Sequence, residues 1–473
     1  MQLARLRYLP VRKMWKCMVN RLAALKKMIQ ESPVLPWAAL FLGLCLAVTQ
    51  FGGTNARSRI AALRAMTEQH RLTIDSYVDW TFDWSLAPSG HYYSNKAPGG
   101  ALLGLPAFAL LDYTVLWTNN KLDTQGRAPE PGYLELTLFN LLMQMLPFAL
   151  LVIYASKRML EIGVPKAGVH FFALAALFGN TAAIYMNCYF GHGLAGLFFL
   201  AAVFFWLERK YAWASCFFAA TMLTDYGGAC AIPFFVLATL WREKNWRPLV
   251  SIAIGAAPMA LIWIWYHTVA FGSPFAVASQ FINTTQLVHV EGSENLWGTV
   301  GVFPIPAAVR GLLFGTERGI LFTQPWVLIA LPLLFFPHSK FLPRGSALLV
   351  CGGFLGVLWM NCSVGGWYGG FAVGPRYLAL LFPAIALAIA YRWKEIPEWA
   401  KSSLWFTLAV ALVFRVWIYP FSNLAPMENL WSFHGHEYLA AHRGTNFLRV
   451  GIALGLSAYA YFWARARGDL RQI

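Results

Sequence analysis

Apolar runs close to the ~20 residues needed to cross a bilayer recur along almost the whole 473-residue chain, which restricts it to folds built in or on a membrane. Hydrophobic residues make up 58% and charged residues 12%, about half the roughly 25% charge of a soluble domain. No polar linker divides the sequence, so it reads as a basic segment, 1–33, followed by a single membrane domain, 34–473. The runs predict an all-α polytopic protein with about twelve spans: 34–51, 134–156, 167–188, 192–208, 212–224, 229–241, 249–269, 319–336, 345–361, 377–391, 402–419 and 447–464.

The formal charge of +16 does not indicate nucleic acid, because the basic residues sit in short stretches between apolar runs. The ambiguous segment is 97–117, apolar enough to span but interrupted by Pro98, Gly99, Gly100, Gly104 and Pro106 and carrying Asp112. If it does not span, the N-terminal basic run, Lys157/Arg158, Arg209/Lys210, Arg242/Lys244/Arg247, Lys340/Arg344, Arg392/Lys394/Lys401 and Arg465/Arg467/Arg471 all fall on one side. That is the cytoplasmic bias of short loops, with both chain ends inside. The segment is therefore expected to be a re-entrant or interfacial helix on the outer face, packed against protein. The outer side then receives two long segments, 52–133 and 270–318, with juxtamembrane helices in the first, and shorter ones near 362–376 and 420–446.

Seven cysteines without C-x-x-C spacing argue against a zinc site or disulfide framework. The basic N-terminus leads into a full span without a small-residue cleavage site, unlike a removable signal. His434, His436 and His442 lack ligand spacing for a metal, and Asn283-Thr284-Thr285 is a glycosylation sequon by pattern only.

Chemistry-bearing residues concentrate in the first outer loop. Asp75, Asp79 and Asp83 recur every four residues, which would align them on one face of a helix. They precede Gly90-His91-Tyr92-Tyr93-Ser94-Asn95-Lys96-Ala97-Pro98-Gly99. One carboxylate can serve as general base, and Lys96, ahead of a proline-started helix, can meet an anion near that helix's positive end. A solvated acidic helix with a snorkelling lysine explains the same residues. Arg318, in Gly315-Thr316-Glu317-Arg318-Gly319, and Arg376, in Gly374-Pro375-Arg376-Tyr377, stand where outer loops enter the membrane. Each can hold a phosphate through paired hydrogen bonds or simply anchor a helix end, with Trp367 and Tyr368 as flanking aromatics. Asp225 and His192 are ionisable groups near outer helix ends.

The stretch from Asp83 through His91, Tyr93, Asn95 and Lys96 to Gly99 resembles the first periplasmic loop of GT-C glycosyltransferases of the protein O-mannosyltransferase and aminoarabinose-transferase type. The elements around Arg318 and Arg376 resemble later elements of bacterial members, and with the helix pattern the resemblance covers most of the chain. It implies a multi-pass protein of the bacterial inner membrane. Such a protein transfers a sugar, with inversion, from a polyprenyl-phosphate donor to a lipid, glycan or protein acceptor. A first-loop aspartate acts as base, and Lys96, Arg376 and Arg318 hold the donor phosphate. His91, Tyr93, Asn95, Asp225, His192, Trp367 and Tyr368 are the accompanying substrate-binding candidates. No cofactor is implied, and a divalent metal is optional because the leaving group is already a phosphate ester. Two positions depart from the pattern: Asn95 stands where relatives carry an acid, and Thr54-Asn55 replaces an acidic pair. Asp83 is then the first choice of base and Asp75 the second. The competing expectations are a lipid or solute transporter, which the absence of an inverted repeat disfavours, and an inactive relative that binds lipid-linked sugar as a scaffold.

Overall fold

The computed structural model describes residues 31–48, 53–112, 132–282, 300–336, 339–370 and 374–418, apart from residue 317, together with a few isolated positions. The expected span 447–464, the histidines at 434, 436 and 442, the sequon at 283–285 and most of the basic N-terminal segment lie outside these residues.

The described chain is predominantly helical. Three helices, Leu134–Glu161, Arg247–Phe271 and Arg376–Glu395, are long and apolar enough to cross a membrane. Other apolar stretches form shorter helices, because proline, glycine or a polar turn interrupts them. The expected 319–336 span is divided into Ile320–Thr323 and Trp326–Leu333, with Gln324-Pro325 between them and Pro332 inside the second piece. Gly191–Leu207 is apolar on every side and buried along nearly its whole length, as a central helix must be. Arg247–Phe271 has only 6% of its apolar window buried, so it lies at the edge of the bundle with its apolar surface outward.

Contacts separate the two ends of the bundle. Arg158 pairs with Glu208 at 3.3 Å, Arg209 with Glu243 at 3.4 Å, and the Lys340 N–H donates to Glu395 at 3.0 Å. Tyr391, close to Glu395 in sequence, lies within electrostatic reach of Glu208 and Arg158. The basic stretches between helices thus gather at one end.

At the other end, helix Gly53–Glu68, a 3-10 turn Asp75–Trp80, a hairpin of Trp84–Leu86 and Tyr92–Ser94, and helix Gly99–Asp112 form a cap. The last is 14 residues long, about 21 Å at 1.5 Å per residue, and packs on Gly53–Glu68 and Tyr211–Thr224. Gly99 permits the approach, since a Cβ there would sit 2.6 Å from the Leu223 carbonyl. The hairpin is tied down by Ser85 Oγ donating to the Ala278 carbonyl at 2.7 Å and by Leu86 N–H donating to the Phe281 carbonyl at 2.9 Å.

The expected alignment of Asp75, Asp79 and Asp83 on one helix face does not occur. The 3-10 turn stops at Trp80 and Thr81 is extended, so Asp83 belongs to the strand-like entry into the hairpin. Backbone pairing across the hairpin overrides the four-residue spacing.

Arg64 joins the two cap helices. Almost fully buried, it bonds Glu68 at 2.9 Å and Asp112 at 2.8 Å and lies 5.3 Å from the Phe108 ring centre, while the Tyr77 hydroxyl donates to Glu68 at 2.5 Å. A buried guanidinium held this way leaves two carboxylates facing each other when it is removed. Arg64→Ala should therefore lower unfolding free energy by about 3–5 kcal/mol. Arg57→Ala, which breaks an exposed pair with Glu130, should cost about 1 kcal/mol or less. Equilibrium unfolding in mixed detergent–SDS micelles measures both.

Candidate functional site

Helix Gly53–Glu68 presents Thr54, Asn55, Ser58 and Arg59 at one-turn spacing to the hairpin and the bundle behind it. Thr54 Oγ1 donates to Asp83 Oδ2 at 3.1 Å, and Ser58 Oγ donates to the Asp83 carbonyl at 2.5 Å. Lys96 Nζ lies 3.1 Å from Asp83 Oδ2, and Asn95 Nδ2 donates to Oδ1 at 3.3 Å. Both carboxylate oxygens are therefore engaged. The lysine and aspartate side chains are only 16% and 21% exposed, so their charges bear strongly on each other. Burial alone would raise the Asp83 pKa, but Lys96, the Asn95 bond and Arg376 outweigh it and hold the carboxyl below its usual value. Burial pushes the Lys96 ammonium down to about 8; Asp83 works against this shift, and Arg59 and Arg376 add to it.

Beside this pair lies a second one. His192, at the start of Gly191–Leu207, places Nδ1 2.6 Å from Asp225 Oδ2, and the other Asp225 oxygen accepts the Gly227 N–H at 3.1 Å. Between the two pairs runs Arg59, only 5% exposed, with Nη1 donating to the Asn55 carbonyl at 3.1 Å and to the Asn55 side-chain oxygen. A Cβ at Gly191 would lie 2.6 Å from Arg59 Nη2 and 2.8 Å from the Thr224 carbonyl, so only glycine leaves room for the guanidinium here. Both Asp83 and Asp225 act on Arg59 electrostatically. Arg376 donates to the Tyr377 hydroxyl at 2.8 Å, its guanidinium 4.7 Å from that ring centre. It acts electrostatically on Asp83, Lys96 and His192.

Among the described residues, neither Arg59 nor Arg376 has a carboxylate within ion-pair distance, and the Nε of each is buried without a hydrogen-bond partner. Three cations thus face two carboxylates, an imbalance that suits an anion. A cleft runs alongside, with Arg59, Ser94 and Lys96 at its polar corner and Met66, Leu72, Leu102 and Tyr266 as apolar wall.

Of the residues expected from sequence, Asp83, Asn95 and Lys96 are in direct contact, Arg376 is coupled to them, and Asp225 and His192 pair with each other. Asp75 and His91 lie elsewhere: the His91 ring is 2.8 Å from Asp75 Oδ2, and Asp75 Oδ1 accepts the Tyr92 N–H at 2.7 Å, clamping the hairpin. Tyr93 is buried against Phe271. Arg318 donates to the Gly370 carbonyl at 2.6 Å. The Trp367 ring packs on Gly311 and its carbonyl accepts the Asn361 amide, while Tyr368 is exposed. Arg59 and Ser58 are the members the sequence did not reveal, and Thr54 stood out there only as a departure from an acidic pair. Their one-turn spacing was visible, but Arg57 and Arg64 in the same helix gave Arg59 no distinction. Among the described residues no three His, Cys, Asp or Glu side chains converge as a metal site would need.

No protein-family model matches this chain, and no curated protein matches it.

The Lys96 pKa makes a measurable expectation. With the ammonium losing its proton near 8, anion affinity at this site should fall as pH rises through about 8. Lys96→Arg should move that fall to higher pH, because a guanidinium stays protonated. Sulfate binding measured between pH 7 and 9.5 tests this.

Proposed function

We propose that this protein is a polytopic GT-C-like membrane glycosyltransferase, of about twelve spans, in the bacterial inner membrane with both ends cytoplasmic. It moves a sugar from a polyprenyl-phosphate donor to a hydroxyl of a lipid, glycan or protein acceptor on the periplasmic face. The observation that carries this reading is the Lys96–Asp83 pair set beside two buried guanidiniums, Arg59 and Arg376, that have no carboxylate partner among the described residues. Lys96, Arg59 and Arg376 would hold the donor phosphate.

The chemistry follows from the ion pair. An arriving phosphate competes with Asp83 for the Lys96 ammonium, and the carboxylate released from that contact becomes a stronger base. The acceptor oxygen attacks the anomeric carbon and its proton passes to Asp83. The carbon–oxygen bond to phosphate breaks, and the polyprenyl phosphate leaves with the electron pair, stabilised by the three cations. Asp83 is therefore unmasked only when donor is bound, which limits proton abstraction to a loaded site.

The saturation of Asp83 in the resting site also favours a second reading, a protein that binds lipid-linked sugar without transferring it. Transfer of radiolabelled sugar from purified polyprenyl-phosphate donors in proteoliposomes separates the two. Asp83→Asn should reduce turnover about 10²–10⁴-fold while sparing donor binding. Lys96→Gln should weaken donor binding by about 1.5–3 kcal/mol. Donor binding without transfer by any donor leaves the second reading in place.

A further inference from the structure

The transfer scheme gives the His192–Asp225 pair no part, yet its geometry is specific. An ionised carboxylate only accepts hydrogen bonds, so the 2.6 Å contact requires Nδ1 of His192 to carry the hydrogen. Nε2 then holds the lone pair and is the ring atom that can take a second proton. The ring is 6% exposed, with Tyr185 and Tyr377 edge-on at 5.4 and 5.3 Å and Phe190 at 6.4 Å. The charged groups bearing on it are Asp225 from the turn after Tyr211–Thr224, Arg376 from the start of the Arg376–Glu395 helix, and Arg59 from the cap. The phenols of Tyr185 and Tyr377 complete its titratable surroundings.

Among the described residues Arg59 and Arg376 have no carboxylate within ion-pair distance, and each also leaves a buried Nε without a hydrogen-bond partner. With no anion present, burial first and then these two guanidiniums oppose a second proton on the imidazole. An anion seated between them cancels the guanidiniums' part and adds an attraction, while Asp225 already neutralises the far side of the ring. We propose that His192 is a proton-dependent member of the anion site: a phosphate-like group held by Arg59 and Arg376 draws one proton from solvent onto Nε2, and the imidazolium, fixed at Nδ1 by Asp225, donates to the bound oxygen. This rests on the anion-holding half of the function above and not on sugar transfer. It gives the site a fourth donor only when the anion is present, and it ties anion release to loss of a proton.

The test uses the full chain in detergent with inorganic sulfate, whose charge is constant between pH 5.5 and 7.5. Affinity should strengthen as pH falls, approaching the tenfold per pH unit set by uptake of about one proton. Calorimetry in buffers of different ionisation enthalpy should record that proton directly, a readout that needs no variant. His192→Gln should bind with the wild-type affinity of pH 7.5 and lose the slope. Asp225→Asn should flatten the slope, because the imidazolium loses its counter-charge, whereas His91→Gln should retain it. No sulfate binding, no proton uptake by the wild type, or an undiminished slope in His192→Gln overturns the proposal. A protein that fails every transfer assay but takes up the proton would overturn the enzyme reading and leave this one standing.

Discussion

Lys96 and Asp83 stand where a bundle of apolar helices meets its cap, and neither would keep its charge comfortably there alone. A buried ammonium tends to lose its proton and a buried carboxylate to gain one. At 3.1 Å each opposes the other's neutralisation, and the cap is arranged around that contact. Thr54 and Ser58 bring helix Gly53–Glu68 against Asp83, Asn95 closes the hairpin onto it, and Lys96 leads directly into helix Gly99–Asp112. The pair therefore holds the first loop in register as well as supplying charge to the site.

The cap makes this possible by distributing cations unequally. Arg64 is satisfied by Glu68 and Asp112 and serves only to fasten two helices. Arg59, five residues earlier, points the other way, past Gly191, and finds an amide where a carboxylate would have neutralised it. One helix thus carries one arginine neutralised by two carboxylates and one that leaves positive potential for a ligand. Burial makes the difference consequential, because an uncompensated charge in low dielectric attracts an anion far more strongly than the same charge in water.

Sequence spacing misled where two periodicities competed. Asp75, Asp79 and Asp83 repeat every four residues, and on a continuous helix they would have formed one acidic face. The hairpin's cross-strand bonds end the helical turn at Trp80, so Asp75 clamps the hairpin to His91 while Asp83 faces Lys96. The expected 319–336 span was broken for a similar local reason: Pro325 and Pro332 cannot sustain the backbone ladder of one helix. In the sequence His192 and Asp225 each read as an ionisable group near a helix end, but nothing 33 positions apart signals a 2.6 Å contact.

What the sequence alone determined is what composition and local order can carry: an apolar helical chain, basic stretches that gather at one end, and a lysine within reach of an aspartate thirteen positions earlier. Hydrophobic runs and short loops act over a few residues and need no knowledge of the partner they pack against. Only the tertiary structure decided which charges meet. Arg59 became a site residue because helix Gly191–Leu207 starts with a glycine beside it, and Arg376 because its loop returns to the same end of the bundle. Those encounters depend on helix packing across more than 100 residues of chain, where distance in sequence no longer predicts distance in space.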